Sequence, residues 1–193
     1  MVRTWQTLLA LLWPQAEYSQ PTQLLPEVRQ FQRTRYLFPY QNTQIQQLIK
    51  ANKYHASTAA AKSLAGYLDQ YLDTVGQDFV LIPMPISTAR WRERGYNHIA
   101  LILKYSRYAN WVNTSILSKA VHTPQQTHVT KGQRLVQQND TFAAQPNRAR
   151  TLPKTVIILD DVITTGATMS AACAALHPVL PANSQLISLT IAH

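Results

Sequence analysis

One stretch limits the fold of this chain more than any other: Val156-Ile157-Ile158-Leu159-Asp160-Asp161-Val162-Ile163-Thr164-Thr165-Gly166-Ala167-Thr168. Val156 to Leu159 is a continuous apolar run, the pattern of a strand covered on both faces in a parallel sheet. Two carboxylates stand at its carboxyl end, where open α/β sheets hold their ligands. The turn Thr-Thr-Gly-Ala-Thr then leads into a helix predicted over 169–176. Gly166 admits backbone angles that other residues resist. Successive N–H groups can therefore curl into an anion nest, backed by the positive end of the helix. Thr164, Thr165 and Thr168 add hydroxyl donors. One strand end thus joins anion-repelling carboxylates to an anion-cradling loop, which suits a phosphate carried on a polyhydroxylated body. The alternative, an acidic strand end in an ordinary doubly wound domain, leaves the loop unexplained. The patterns G-x-x-x-x-G-K-[ST] and G-x-G-x-x-G are both absent, so the usual nucleotide loops are excluded.

The rest of the chain supplies a frame for that strand. Residues 14–30, with Pro14, Pro21, Pro26 and several Gln, read as a linker or hood. A helix is predicted over 44–53, with Ile45, Leu48 and Ile49 on one side. A second runs from a cap at Ser57 or Thr58 to about Leu72, with Ala61, Leu64, Leu68, Tyr71 and Leu72 on its apolar face. Phe79 to Ile82 reads as a second buried strand, ended by Pro83-Met84-Pro85. A helix over 99–108, a strand over 113–117 and a last strand over 186–191 follow. Residues 119–139 are polar, with no apolar period, as in a lid or disordered segment. Strands alternating with helices give an α/β fold with a mostly parallel twisted sheet flanked by helices. The expected division is 1–35 as an N-terminal helix and Pro/Gln-rich hood or linker, and 36–193 as the α/β domain that carries the 156–168 stretch.

Charge narrows the partners. The 193 residues carry a formal net charge of +9. Between Arg90 and Lys154 eleven Lys/Arg face only two acids, Glu93 and Asp140. Such a surface attracts polyanions, although a merely solubilising basic face has the same composition. Cys173 is the single cysteine, which excludes an internal disulfide and a cysteine-based metal site. No apolar run reaches membrane-spanning length. Residues 1–13 read as a short amphipathic helix stopped by Pro14, without a signal-peptide cleavage site. A cytoplasmic protein with no membrane span is the expectation.

The 156–168 stretch resembles the phosphoribosyl-pyrophosphate (PRPP) fingerprint of the type I phosphoribosyltransferases. That resemblance implies that Asp160 and Asp161 contact the ribose hydroxyls and that Thr164, Thr165, Gly166, Ala167 and Thr168 wrap the 5′-phosphate. It also implies a pyrophosphate site at the turn Pro83-Met84-Pro85-Ile86-Ser87, assigned here to Pro85, Ile86 and Ser87 with Arg90 and Arg92. Leu48-Ile49, Lys53-Tyr54, Pro83-Met84-Pro85, Arg92-Glu93-Arg94-Gly95-Tyr96-Asn97 and the 156–168 stretch occur in the order seen in the ComF family. Those phosphoribosyltransferase-like proteins are tied to natural competence in bacteria, and the chain resembles them over roughly residues 36–193. Gln126, Thr127 and Arg134, with Thr123-Pro124 and Phe142, are similar to the family's flexible loop. The four-cysteine zinc ribbon common in the family has no counterpart here. His98 stands where Gln is usual, and Gln137 where Asn is usual. A histidine opening a helix is ordinarily a surface or capping group; a phosphate contact is the alternative for His98.

Two functions follow as expectations. The first is a Mg²⁺-dependent transferase, with the ion held mainly by PRPP and Asp160 as the one candidate protein contact. Asp160, Asp161 and Arg94 would be its catalytic residues, supporting an oxocarbenium-like state and the departing pyrophosphate. No residue is an evident general base. The second is a non-enzymatic single-stranded DNA-binding competence factor on the same fold. Arg90, Trp91, Arg92, Arg94 and Tyr96 interleave cations with aromatics as strand-binding grooves do. Against that, Trp91 and Tyr96 are expected to pack beneath the arginine turn.

Overall fold

Three apolar runs of sequence meet in one sheet in the computed structural model, which describes residues 24–119, 142–149 and 152–193. The strands are β1 (Arg29–Phe31), β2 (Thr34–Phe38), β3 (Phe79–Pro83), β4 (Leu117–Lys119), β5 (Phe142–Ala144), β6 (Thr155–Val162) and β7 (Gln185–Ala192). The helices are α1 (Thr43–His55), α2 (Thr58–Leu72), α3 (Thr88–Arg94), α4 (His98–Lys104), α5 (Pro146–Ala149) and α6 (Ala167–Leu176). The main sheet runs in the order β1-β2-β7-β6-β3. Only the β1–β2 pairing is antiparallel; β2, β7, β6 and β3 run parallel. The fold is therefore α/β, with a mostly parallel five-stranded sheet flanked by helices. β4 and β5 form a separate two-stranded ladder.

Side-chain alternation along the central strands fills two cores. Phe79, Leu81, Ile157 and Leu159 pack with α1, α2 and α4 on one face. Val80, Ile82, Val156 and Ile158 pack with Met169, Ala172 and Leu176 of α6 on the other. Each fully buried Leu or Ile contributes roughly 1.5–3 kcal/mol over an exposed one. Continued past Leu159, the same alternation turns Asp161 toward the α1/α4 face and Asp160 toward the α6 face. All four parallel strands end on the same side, so their carboxyl ends form one rim.

Caps fix the helices that reach that rim. The Asn42 side chain accepts from Ile45 N and the Ser57 side chain from Ala60 N. Asn97 caps α4 by accepting from Ile99 N and Ala100 N, and its amide donates to Met84 O at 3.0 Å. The two expected helices over 44–53 and from Ser57 to Leu72 form with these ends extended to Thr43 and His55.

Three expectations need correction. The segment read as linker or hood contributes β1, and the stretch from Thr34 contributes β2, so a boundary at residue 35 cuts a strand of the main sheet. The helix expected over 99–108 stops at Lys104. Beyond it Ser106 Oγ and Arg107 N donate to Asp69, while Arg107 and Tyr108 OH donate to Asp73, and these local bonds replace the helical ladder. The strand expected over 113–117 moves to Leu117–Lys119, because Asn113 Oδ1 accepts from Ser115 N and Oγ and makes a turn there. The expected helix over 1–13 lies outside the described residues, as does the expected lid after Lys119 as far as 139.

Asp69 is only 5% exposed and gathers the end of α4 onto α2. Asp69→Ala strands a buried hydroxyl and a backbone donor, and is expected to cost about 2–4 kcal/mol, read as a lower urea midpoint with unchanged slope.

Candidate functional site

The rim at the carboxyl ends of the parallel strands opens into a cleft of about 640 Å³. Asp160 and Asp161 line it together with the whole loop Thr164–Thr168, and Pro85, Ile86 and Arg90 line it from the β3 side. The residues expected to hold the 5′-phosphate, the ribose and part of the pyrophosphate are thus brought to one cavity.

The acid pair is not symmetrical. Asp161 is 4% exposed. Its Oδ2 accepts from Lys53 Nζ at 2.7 Å and lies 3.1 Å from His98 Nε2, while its Oδ1 accepts from Val162 N at 2.8 Å. Burial alone would raise Asp161, but the bond and charge of His98 and the charge of Lys53 outweigh it and hold the carboxyl well below the usual carboxylate range. Asp160 has one bonded partner among the described residues, the Asp161 N–H at 2.9 Å on Oδ1. Burial first, and the Asp161 charge second, push Asp160 up to about 7. Asp161 is therefore a fixed anion inside a cationic clamp, and Asp160 is the carboxyl left to meet a ligand.

The clamp is built from the ends of two helices. Lys53 stands in the last turn of α1 and His98 opens α4. Asn52 Nδ2 donates to His98 O at 2.9 Å, Tyr96 OH donates to Asn52 O at 2.6 Å, and Ala56 N donates to Tyr96 OH at 3.0 Å. These bonds tie the end of α1 to the segment before α4 and so hold Lys53 and His98 against one oxygen. His98 is 3% exposed, which corrects the expectation of a surface or capping histidine. Its position follows from Asn97, whose cap turns the first residue of α4 inward.

The loop bears out the glycine argument. Gly166 has φ +80 and sits at the N-cap of α6. It meets the β1–β2 turn, where Gln32, itself at φ 53, donates from Nε2 to Thr165 O at 3.4 Å. A Cβ at position 166 would lie 2.7 Å from Gln32 Oε1. Gly166→Ala is expected to cost about 1–2 kcal/mol from the left-handed backbone, with Gln32 displaced from the loop; a lower melting temperature and a shifted Gln32 side-chain amide resonance would show it.

The arginine expectations divide. Ser87 caps α3 by accepting from Arg90 N at 3.2 Å and does not line the cleft. Arg90 does, whereas exposed Arg92 does not. Arg94 also lies off the cleft: its guanidinium stands 5.4 Å from the Tyr54 ring centroid, and its buried Nε and Nη1 have no hydrogen-bond partner among the described residues. Tyr96 packs as expected, but Trp91 is 53% exposed and does not. The 83–87 turn holds no cis peptide bond. Gln126, Thr127 and Arg134 lie outside the described residues.

Three groups, His98, Asp160 and Asp161, offer ligand atoms within 4.8 Å of one another. As a set they fit Mg²⁺ poorly, since Asp161 Oδ2 already serves a lysine ammonium and an imidazole. A hard ion that prefers oxygen and keeps few protein ligands fits Asp160 together with substrate oxygens. Sequence reasoning missed Lys53 as a site residue and gave no role to Tyr40, Gln41, Thr190 and His193, which also line the cleft. No family model matches the chain, and no curated protein matches it.

Proposed function

We propose that this chain binds PRPP with Mg²⁺ and transfers its phosphoribosyl group to a nitrogen acceptor, as a phosphoribosyltransferase-like protein of the ComF type acting in natural competence. One observation carries the reading: a Gly166-centred loop at a helix N-terminus and an unclamped carboxyl, Asp160, face the same cleft at the ends of parallel strands. A sugar phosphate needs both features at once.

In this reading the 164–168 loop holds the 5′-phosphate and Asp160 accepts from a ribose hydroxyl. Asp161, fixed by Lys53 and His98, keeps a negative potential beneath the ribose that favours an oxocarbenium-like C1. The C1–oxygen bond breaks, its electron pair leaves with pyrophosphate, and the acceptor nitrogen forms the new bond to C1 and loses its proton to solvent water. Arg90 and the Pro85–Ile86 backbone meet the leaving group. Mg²⁺, when bound with PRPP, would neutralise charge on the pyrophosphate oxygens.

A second reading, single-stranded DNA binding without turnover, draws on the exposed rings of Tyr54 and Trp91 beside arginines and on the +9 charge. Pyrophosphate release from PRPP and Mg²⁺ across a panel of nitrogen heterocycles separates the two. Release that depends on the wild-type protein and is lost in Asp160→Ala supports the transferase; PRPP binding with no release for any acceptor contradicts it.

A further inference from the structure

A second cavity, about 610 Å³, shares Pro85, Ile86 and Lys119 with the cleft and is otherwise walled by different residues. Its volume is that of a small-molecule site. Leu101 and Leu117 supply apolar wall, and Trp91 supplies an aromatic ring. Among the described residues the charged groups that line it are Lys104 and Lys119, and none is a carboxylate.

The helix that carries the ring is unusual. No residue of α3 is buried, and Trp91 leaves 53% of its surface in water. Neighbouring residues of this helix serve different cavities, Arg90 the cleft and Trp91 the groove. A large ring kept exposed on a helix with no buried residue gains from being covered. The groove beside it offers apolar walls for a flat body, and among the described lining residues its only charged groups are lysines, so an anionic end is favoured there over a cationic one.

We propose that this groove binds a small planar aromatic anion, its ring on Trp91 and its anionic group at Lys104 and Lys119. The site adjoins the PRPP cleft at Pro85, Ile86 and Lys119, and the inference does not depend on PRPP binding.

Adenosine 5′-monophosphate is a suitable probe, because it joins a planar ring to an anion. The chain has four tryptophans, and Trp91→Leu identifies the Trp91 indole resonance in the ¹⁵N spectrum of the full-length protein. The nucleotide is expected to shift that resonance saturably, and to do so in the presence of excess ribose 5-phosphate. Trp91→Leu, at an exposed position that leaves the fold intact, should weaken nucleotide binding by about tenfold or more, the usual worth of a stacking ring. Lys104→Glu should weaken it several-fold, and adenosine should bind less tightly than its phosphate. The proposal is overturned if millimolar nucleotide leaves the Trp91 resonance in place. It is equally overturned if ribose 5-phosphate displaces the nucleotide while Trp91→Leu binds it normally, which would put the nucleotide in the cleft, or if adenosine and its phosphate bind alike.

Discussion

Asp161→Ala is expected to destabilise the fold by about 3–5 kcal/mol at pH 7, the cost of removing one partner from a buried ion pair. The side chains of Lys53 and Asp161 are 22% and 6% exposed, and that of His98 is 4% exposed. Without the carboxylate, an ammonium and an imidazole face each other with nothing between them. Their helices remain tied through Asn52 and Tyr96, so neither group can swing into water cheaply. Lys53→Met in the Asp161→Ala background should recover part of the loss, because it removes the stranded charge. The stabilisation has a definite pH window. Asp161 is held below its ordinary value of 3.8, so its contribution is fully present above that pH and is lost only as pH falls below it. Urea unfolding of the single and double variants gives the numbers. An Asp161→Ala protein as stable as wild type would show that the clamp contributes nothing.

Asp160→Asn is expected to act in the opposite direction. The native state keeps the Asp160 proton to about 7, whereas the unfolded chain releases it near 3.8. Between those values the unfolded state binds fewer protons, so wild-type stability falls as pH rises. A tenfold change in proton affinity is worth about 1.4 kcal/mol, and relaxation around the pair reduces the whole effect to about 2–4 kcal/mol. The asparagine keeps an oxygen for the Asp161 N–H and removes the charge. The variant should therefore match wild type near pH 4, pull ahead through neutral pH, and hold a constant advantage above pH 8. Parallel stability curves for the two proteins from pH 4 to 8.5 would contradict the assignment of the strained carboxyl to Asp160. Adjacent carboxylates whose removal moves stability in opposite directions are expected where one is structural and the other is kept for a ligand.

Much of the strand–loop–helix unit was legible because its signals are local. The Val156–Leu159 run, the acid pair and the Gly166 turn each depend on neighbours a few residues away, and all three formed, although the strand runs on through the acid pair to Val162 and the helix starts at Ala167 rather than Met169. The clamp was not legible in that way. Lys53 and His98 lie 108 and 63 residues from Asp161 in the chain, and nothing local marks them as its partners. The alternation along β6 does carry a signal: Asp161 shares the face of Ile157 and Leu159, so a buried carboxylate there requires a cation from whichever helices cover that face. β1 and β2 escaped notice for another reason. Arg29, Gln30, Arg33 and Arg35 make the stretch polar, and an edge hairpin tolerates that where a central strand would not. The overlong reading of α4 failed at Ser106, where Asp69, distant in sequence, offers a better partner than the helical ladder.

The most direct test of the account is calorimetric titration of PRPP, with and without Mg²⁺, into the wild-type protein and into Asp160→Asn. The account predicts binding that requires the metal and is weakened by about 30-fold or more in the variant, as expected for the loss of charged hydrogen bonds to the ribose. A folded wild-type protein that takes up no PRPP with Mg²⁺, or an Asp160→Asn protein that binds it as wild type does, would contradict it.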